Sequence, residues 1–409
     1  MFPRIFARKC IDITWNNLWT FTWRYILRLE TVPQVETDIE KLWSPKGTLV
    51  AFTVRSGFDL CLQVCAFPPV EVIVSAVTIP DMVRIIEYHK LVPVPVDIQE
   101  DGSVLADDID GLITSKTRAI LIAHLFGNRM PFDEISNLAK RKGIFVFEDC
   151  AEAFCGREFT GHPNADVSMF SFGLIKTSTA FGGALLTIRD PALLDSIRSI
   201  HSLYPAQPAS KFWLRVAKYA LFKAIMDNDL LYGAFLGVLS LGGVNHHAII
   251  RKLSRSFGRE NLIVQIRQKP SAPLLQLLLH RVATFKFDRL ERRQKMVEHV
   301  SSLFPENFRP IGFGQRHHVY WLCPIRAPRP DILIESLYLA GFDAADGSTS
   351  LAVISQKFEI KPERAQNIMK PMVYLPIDHC YDEQTLHRLA GVIVLHSGAY
   401  GDVLAVRRR

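Results

Sequence analysis

GIFVFED, residues 143–149, is an apolar run that ends in two carboxylates, Glu148 and Asp149. It continues as CAEAF (150–154), and SFGLIKTSTAFGG (171–183) follows. The run reads as a buried strand. Similar runs lie before it: LVAFTV (49–54), EVIVSAV (71–77), VPVPVDI (92–98) and RAILIAHLF (118–126). Helix candidates at 59–66, 81–88 and 132–141 separate them. Near-continuous apolar strands alternating with helices predict an α/β protein with a mostly parallel sheet covered on both faces. Ligands of such sheets sit at the carboxyl ends of the strands, where Ser56-Gly57, Glu148-Asp149 and Ser171 fall.

Lys176 stands five residues after Ser171 in a turn rich in Gly, Ser and Thr. Burial disfavours the charged form of a lysine, and a lysine that loses its proton readily is what Schiff-base chemistry uses. A carboxylate across the cleft would hold a pyridinium nitrogen protonated. The same residues also read as a surface lysine and a helix-capping Asp149, and both readings stay open on these residues alone.

RSGFDL (55–60), VTIPDM (77–82), VPVDI (94–98), TRAILIAHLFG (117–127), EDCAEAF (148–154), FSFGLIK (170–176) and FGGALLT (181–187) occur in the order and spacing of one family. Over residues 45–200 the chain resembles the DegT/StrS-type aminotransferases, and LERRQ (290–294) and YLPIDHCYDEQTL (374–386) extend the likeness. The resemblance implies a fold-type I pyridoxal 5′-phosphate-dependent transferase, with a large domain and a smaller C-terminal α+β domain. Lys176 would carry the cofactor as a Schiff base and shuttle a proton. Asp149 would pair with the ring nitrogen. Ser171 and the N–H groups of Gly57 and Phe58 would hold the phosphate at a helix N-terminus. Ile79 takes the position of a ring-stacking aromatic, and Glu152 that of a Gln or His facing the phenolic oxygen. Phe58 replaces the usual Thr, and residues 180–183 read AFGG where the family has GEGG. No Gly-Tyr-Asn element is evident in the second half; Arg267 and Lys269 lie near its place as substitutes.

The implied activity transfers an amino group from glutamate or glutamine to a keto acceptor, a nucleotide-linked keto sugar, in ping-pong order, by a homodimer. Related sugar dehydratases carry histidine in place of the lysine, so Lys176 argues against that activity. The alternatives are a lipid-linked or apolar acceptor at a membrane surface, and a non-catalytic membrane-associated scaffold that retains the fold.

The 409 residues are 48% hydrophobic and 22% charged, with formal charge +7, which excludes collagen, long coiled coil and wholesale disorder. The charge favours anionic ligands and is too weak to imply nucleic acid. Seven scattered cysteines form no disulfide framework and read as reduced thiols in a reducing compartment. His317-His318 lack further ligands, and no metal site is expected. Asn245-His246-His247 read as a polar flank.

The expected division is an amphipathic N-terminal segment (1–30), a large cofactor-binding domain (31–250) and a small domain (251–409). The first has five aromatics between Trp15 and Tyr25 and no secretory signal. The second carries an insert at 211–247: a helix with Lys211, Arg215, Lys218 and Lys223 on one side, then an uncharged run, 230–244, too short to span a bilayer. Residues 211–295 hold 16 basic and 5 acidic residues, a net +11. A cytoplasmic protein is expected, with this insert at a subunit interface or peripheral to a membrane.

Overall fold

The computed structural model describes residues 4–8, 11–27, 31–44, 47–65, 68, 70–243, 249, 261–347, 351–354, 361–377 and 381–406. Asn245-His246-His247, Cys10, Cys380 and the division expected near residue 250 lie outside them.

The strands of the first half are β1 (Thr48–Ala51), β2 (Glu71–Ser75), β3 (Val77–Thr78), β4 (Val92–Val96), β5 (Thr117–Ala123), β6 (Phe145–Asp149), β7 (Val167–Ser171) and β8 (Ala184–Ile188). All but β3 form one sheet in the order β1-β8-β7-β6-β5-β2-β4. The pairs β4–β2, β2–β5, β5–β6 and β6–β7 are parallel, and β7–β8 and β8–β1 antiparallel. β3 pairs instead with Ala352–Val353.

Alternation along each strand serves two buried faces. Ala119, Leu121, Phe147 and Met169 join Phe58, Met82 and Leu194 from the helices on one side. Ile120, Ile122 and Val146 meet Ile135 and Leu138 on the other. On that side too, Phe170 and Phe172 pack with Phe21, Trp43, Phe212 and Leu274. Helix Asp133–Lys142 shows how the chain enters β6. It starts on Asp133 and Glu134, ends on Lys140, Arg141 and Lys142, and stops at Gly143 with φ +66°. The charges complement the helix dipole, and the glycine takes the left-handed turn that releases the strand.

Beyond residue 290 a further core gathers Val297, Ile325, Leu333, Leu337, Val373 and Leu389 around an antiparallel pair, Pro324–Arg326 and Met372–Tyr374. The strand read over 319–325 is confined to Pro324–Arg326. Tyr320 has φ +44° and gives its N–H to His318 Nδ1, so the backbone turns before any ladder forms.

Candidate active site

A cavity of about 220 Å³ opens at the carboxyl ends of β3, β5, β6 and β7. Asp149, Lys176, Ser171, Ile79 and Glu152 line it together.

Asp149 ends β6 and is almost wholly buried. Its Oδ1 accepts the Ala151 N–H at 2.9 Å. Burial pushes its carboxyl above the ordinary aspartate range; that backbone hydrogen bond and Lys176 oppose the shift. Glu148, one residue earlier, faces away into a saturated network. It accepts from His124 Nε2 at 2.9 Å, Ser168 Oγ at 2.5 Å and the His162 N–H at 2.8 Å. Burial alone would raise its pKa, yet these hydrogen bonds hold it low. His124 Nδ1 accepts the Met130 N–H, which fixes the ring's remaining proton on Nε2. Of the two carboxylates at the strand end, one is structural and one faces the cavity.

Lys176 sits on the loop after β7. Its Nζ lies 3.3 Å from Glu152 Oε1 and 3.8 Å from the centre of the Trp321 ring. Glu152 is held from behind, since its Oε2 accepts the Phe126 N–H at 2.9 Å. The indole of Trp321 donates to Ile175 O at 2.9 Å, next to the lysine. Two residues beyond, Ser178 stands at φ +56° and gives its N–H to Asp12 Oδ2 at 2.7 Å. Asp12 is in turn held by Arg289 at 2.7 Å. The N-terminal segment thus clamps the lysine loop, a role its composition did not announce.

The phosphate turn differs from the expectation. Gly57 and Phe58 do not reach the cavity. The strand ends at Ala51, and the next helix begins at Val54 (Val54–Cys65), so both residues lie inside the helix. The Gly57 N–H is spent on Thr53 O at 3.0 Å, and Phe58 is fully buried edge-on to Phe147. Burying a phenylalanine contributes roughly 2–3 kcal/mol, which fixes the helix phase. Thr53, Val54 and Arg55 line the cavity in their place. Thr53 caps the helix, its Oγ1 accepting the Ser56 N–H at 3.1 Å. First-turn N–H groups of such a helix face outward, a ready anion site. Arg55 is paired with Asp81 at 2.7 Å at the cavity wall.

Arg267 and Lys269 are engaged elsewhere. Arg267 grips the buried Asp59 through two hydrogen bonds of 2.9 and 3.1 Å, and Lys269 Nζ donates to Ser202 O. Arg215, read from its charge as part of a basic helix side, instead lines the cavity. Lys223 is buried against Asp227, leaving Lys211 and Lys218 exposed. His318 is buried and neutral: Nε2 donates to Ile311 O, and burial pushes its pKa down to about 3.

The profile of the DegT/DnrJ/EryC1/StrS aminotransferase family matches residues 43–223. The GDP-perosamine synthase of Escherichia coli O157:H7 is 38% identical over 200 residues, 48% of this chain and 52% of that protein. The chain thus spans about half the length of that relative. Aminotransferase TlmJ from Streptoalloteichus hindustanus superposes with a TM-score of 0.71 over 97% of this chain and all of that one, at 15% identity. The PLP-form of the putative sugar aminotransferase Spr1654 from Streptococcus pneumoniae gives 0.67 over 97% and 99%, at 17% identity. The chain has the fold-type I architecture of these proteins, and its residues 43–223 are similar to the DegT/DnrJ/EryC1/StrS aminotransferase family.

Proposed function

We propose that this protein is a pyridoxal 5′-phosphate-dependent aminotransferase acting on a nucleotide-linked keto sugar, with glutamate or glutamine as donor. The observation that carries the reading is the shared cavity of Asp149 and Lys176, one a buried carboxyl short of a counter-charge, the other an amine held at the mouth of the same space. The donor set fits the cofactor. A proton-bearing ring nitrogen supplies what Asp149 lacks, and the helix start at Val54 with the Ser171 hydroxyl suits a phosphate. Ile79 offers an aliphatic face to the ring. The E. coli relative, named for its perosamine product, supports a sugar acceptor.

The bound cofactor supplies an electron-withdrawing ring that stabilises negative charge at the donor's α carbon. Asp149 would keep the ring nitrogen protonated. Lys176 would hold the cofactor, and its free amine would move the proton at the donor's α carbon. Glu152 orients the lysine amine through their ion pair, and Trp321 covers the amine and keeps water from that side. The test is a donor and acceptor screen on the purified chain, read through the cofactor's visible absorbance. A chain that takes up no pyridoxal phosphate refutes the reading.

The exposed indoles of Trp15, Trp19 and Trp23, beside the exposed Leu214 and Leu221, favour a second reading in which the acceptor is met at a membrane surface. No single described helix is long and apolar enough to cross a bilayer. The chain acts as a homodimer in either reading, as the family resemblance implies.

A further inference from the structure

Helix Ala209–Met226 turns Phe212, Val216 and Tyr219 inward, and Arg215 shares that face by helical spacing. Its Nη1 donates to Phe181 O at 3.1 Å. Gly182 lets the guanidinium close on the backbone, for a Cβ there would stand 3.3 Å from Nη1. The Gly183 N–H donates to Phe52 O, so this corner adjoins Thr53 and the start of helix Val54–Cys65. Ser171, paired with Ala184, lies on the same corner. Among the described residues no carboxylate pairs with Arg215. Burial lowers its pKa, with only Tyr219 acting against the shift. A cation taken from water without a counter-charge is costly, and an anion in the cavity would relieve it.

We propose that Arg215 is the phosphate-binding cation of this cavity, a contact made from the chain's own helix. The proposal rests on the cofactor reading for the identity of its ligand, the phosphate of pyridoxal phosphate. Arg267 and Lys269, the sequence candidates for such a contact, are committed to Asp59 and Ser202. The guanidinium presents several donors in a plane, which matches phosphate oxygens.

The test compares the wild type with Arg215→Gln and Arg215→Lys on three probes: pyridoxal phosphate, pyridoxal without phosphate, and inorganic phosphate. Cofactor binding is read by equilibrium fluorescence quenching, and phosphate binding by thermal shift of the cofactor-free chain. Arg215→Gln is expected to weaken pyridoxal phosphate about 10- to 100-fold, as for a lost charge-assisted hydrogen bond. Pyridoxal should bind within twofold of wild type, phosphate should stabilise the wild type alone, and Arg215→Lys should fall between. An equal loss for pyridoxal overturns the proposal by showing a structural role. Unchanged cofactor and phosphate binding with a raised donor KM overturns it in favour of a carboxylate site. A wild type that ignores pyridoxal phosphate yet is stabilised by inorganic phosphate through Arg215 refutes the cofactor reading and leaves the phosphate site standing.

Discussion

The amine of Lys176 lies 3.3 Å from Oε1 of Glu152, and the far oxygen of that carboxylate is pinned by the Phe126 N–H. Lys176 is thus held in an ion pair with a fixed partner, where the family resemblance leads one to expect Gln or His. In the proposed reaction this pair would have to open before the amine attacks a carbonyl carbon. Glu152→Gln keeps an acceptor for the Phe126 N–H and removes the charge. Charged hydrogen bonds contribute about 1.5–3 kcal/mol against about 1 for neutral ones. Capture of pyridoxal phosphate, followed by stopped-flow absorbance, should accelerate about tenfold. An unchanged capture rate would show that the ion pair does not restrain the lysine.

Lys176→Ala should abolish turnover and leave the fold intact, because the side chain is half-buried at a cavity wall and supports no core cluster. Borohydride reduction followed by peptide mass analysis should find the cofactor's mass on the wild-type peptide alone. A cofactor adduct fixed on another lysine would remove Lys176 from its role.

Asp149→Asn retains the Ala151 contact through its amide oxygen and loses the charge that, in the proposed role, would hold a ring proton. Electrostatic groups aimed at reacting centres are often worth about 3–4 kcal/mol. Turnover should drop about 10²- to 10³-fold while the cofactor stays bound by equilibrium dialysis. Wild-type turnover in this variant would contradict the assignment.

Much of this site is legible in the sequence, and the failures have physical causes. Apolar run length separates strand from helix poorly where β-branched residues start a helix. Val54 extends the run 49–54, so the strand reads three residues too long and the turn that follows it is placed too late. Thr53 with its capped Ser56, and the apolar spacing of Val54, Phe58, Cys61 and Leu62, hold the correct phase. Arg215 was misplaced because charges set the helical side; Phe212, Val216 and Tyr219 mark the buried face instead. The Asp12 clamp and the Trp321 lid join residues more than 140 positions from Lys176, and no local pattern encodes such contacts.

Glu148 ties stability to pH. Its folded-state pKa lies below the ordinary value of 4.5, since three hydrogen bonds outweigh burial. A depressed carboxyl stabilises the fold above its unfolded pKa, and that contribution is lost as pH falls through the folded value. The melting temperature should therefore fall on acidification below about pH 4.5. Glu148→Gln should cost about 1–3 kcal/mol at pH 7 and flatten that acid limb. Parallel acid limbs in both proteins, measured by calorimetry, would assign the pH dependence to other groups.

Trp15, Trp19 and Trp23 recur every four residues on helix Trp15–Ile26 and are 50, 64 and 46% exposed. The opposite side of the helix buries Leu18 and Phe21. Phe21 stacks on Trp213 at 5.1 Å, which docks this helix on Ala209–Met226, where Leu214 and Leu221 are also exposed. Helix Asp229–Leu241 follows at a bend of 103° and exposes Val238 and Leu241. Tryptophan and leucine beside the exposed Lys211 and Lys218 suit a headgroup layer, each basic residue near anionic lipid contributing about 1 kcal/mol. The chain should sediment with vesicles containing phosphatidylserine, and less so as salt rises, because the attraction is screened. Changing all three tryptophans to serine should cut binding at least about tenfold without lowering the melting temperature, since the indoles support little of the core. A wild type that stays in the supernatant at low salt would rule out the membrane reading, and the proposed acceptor would then be met in solution.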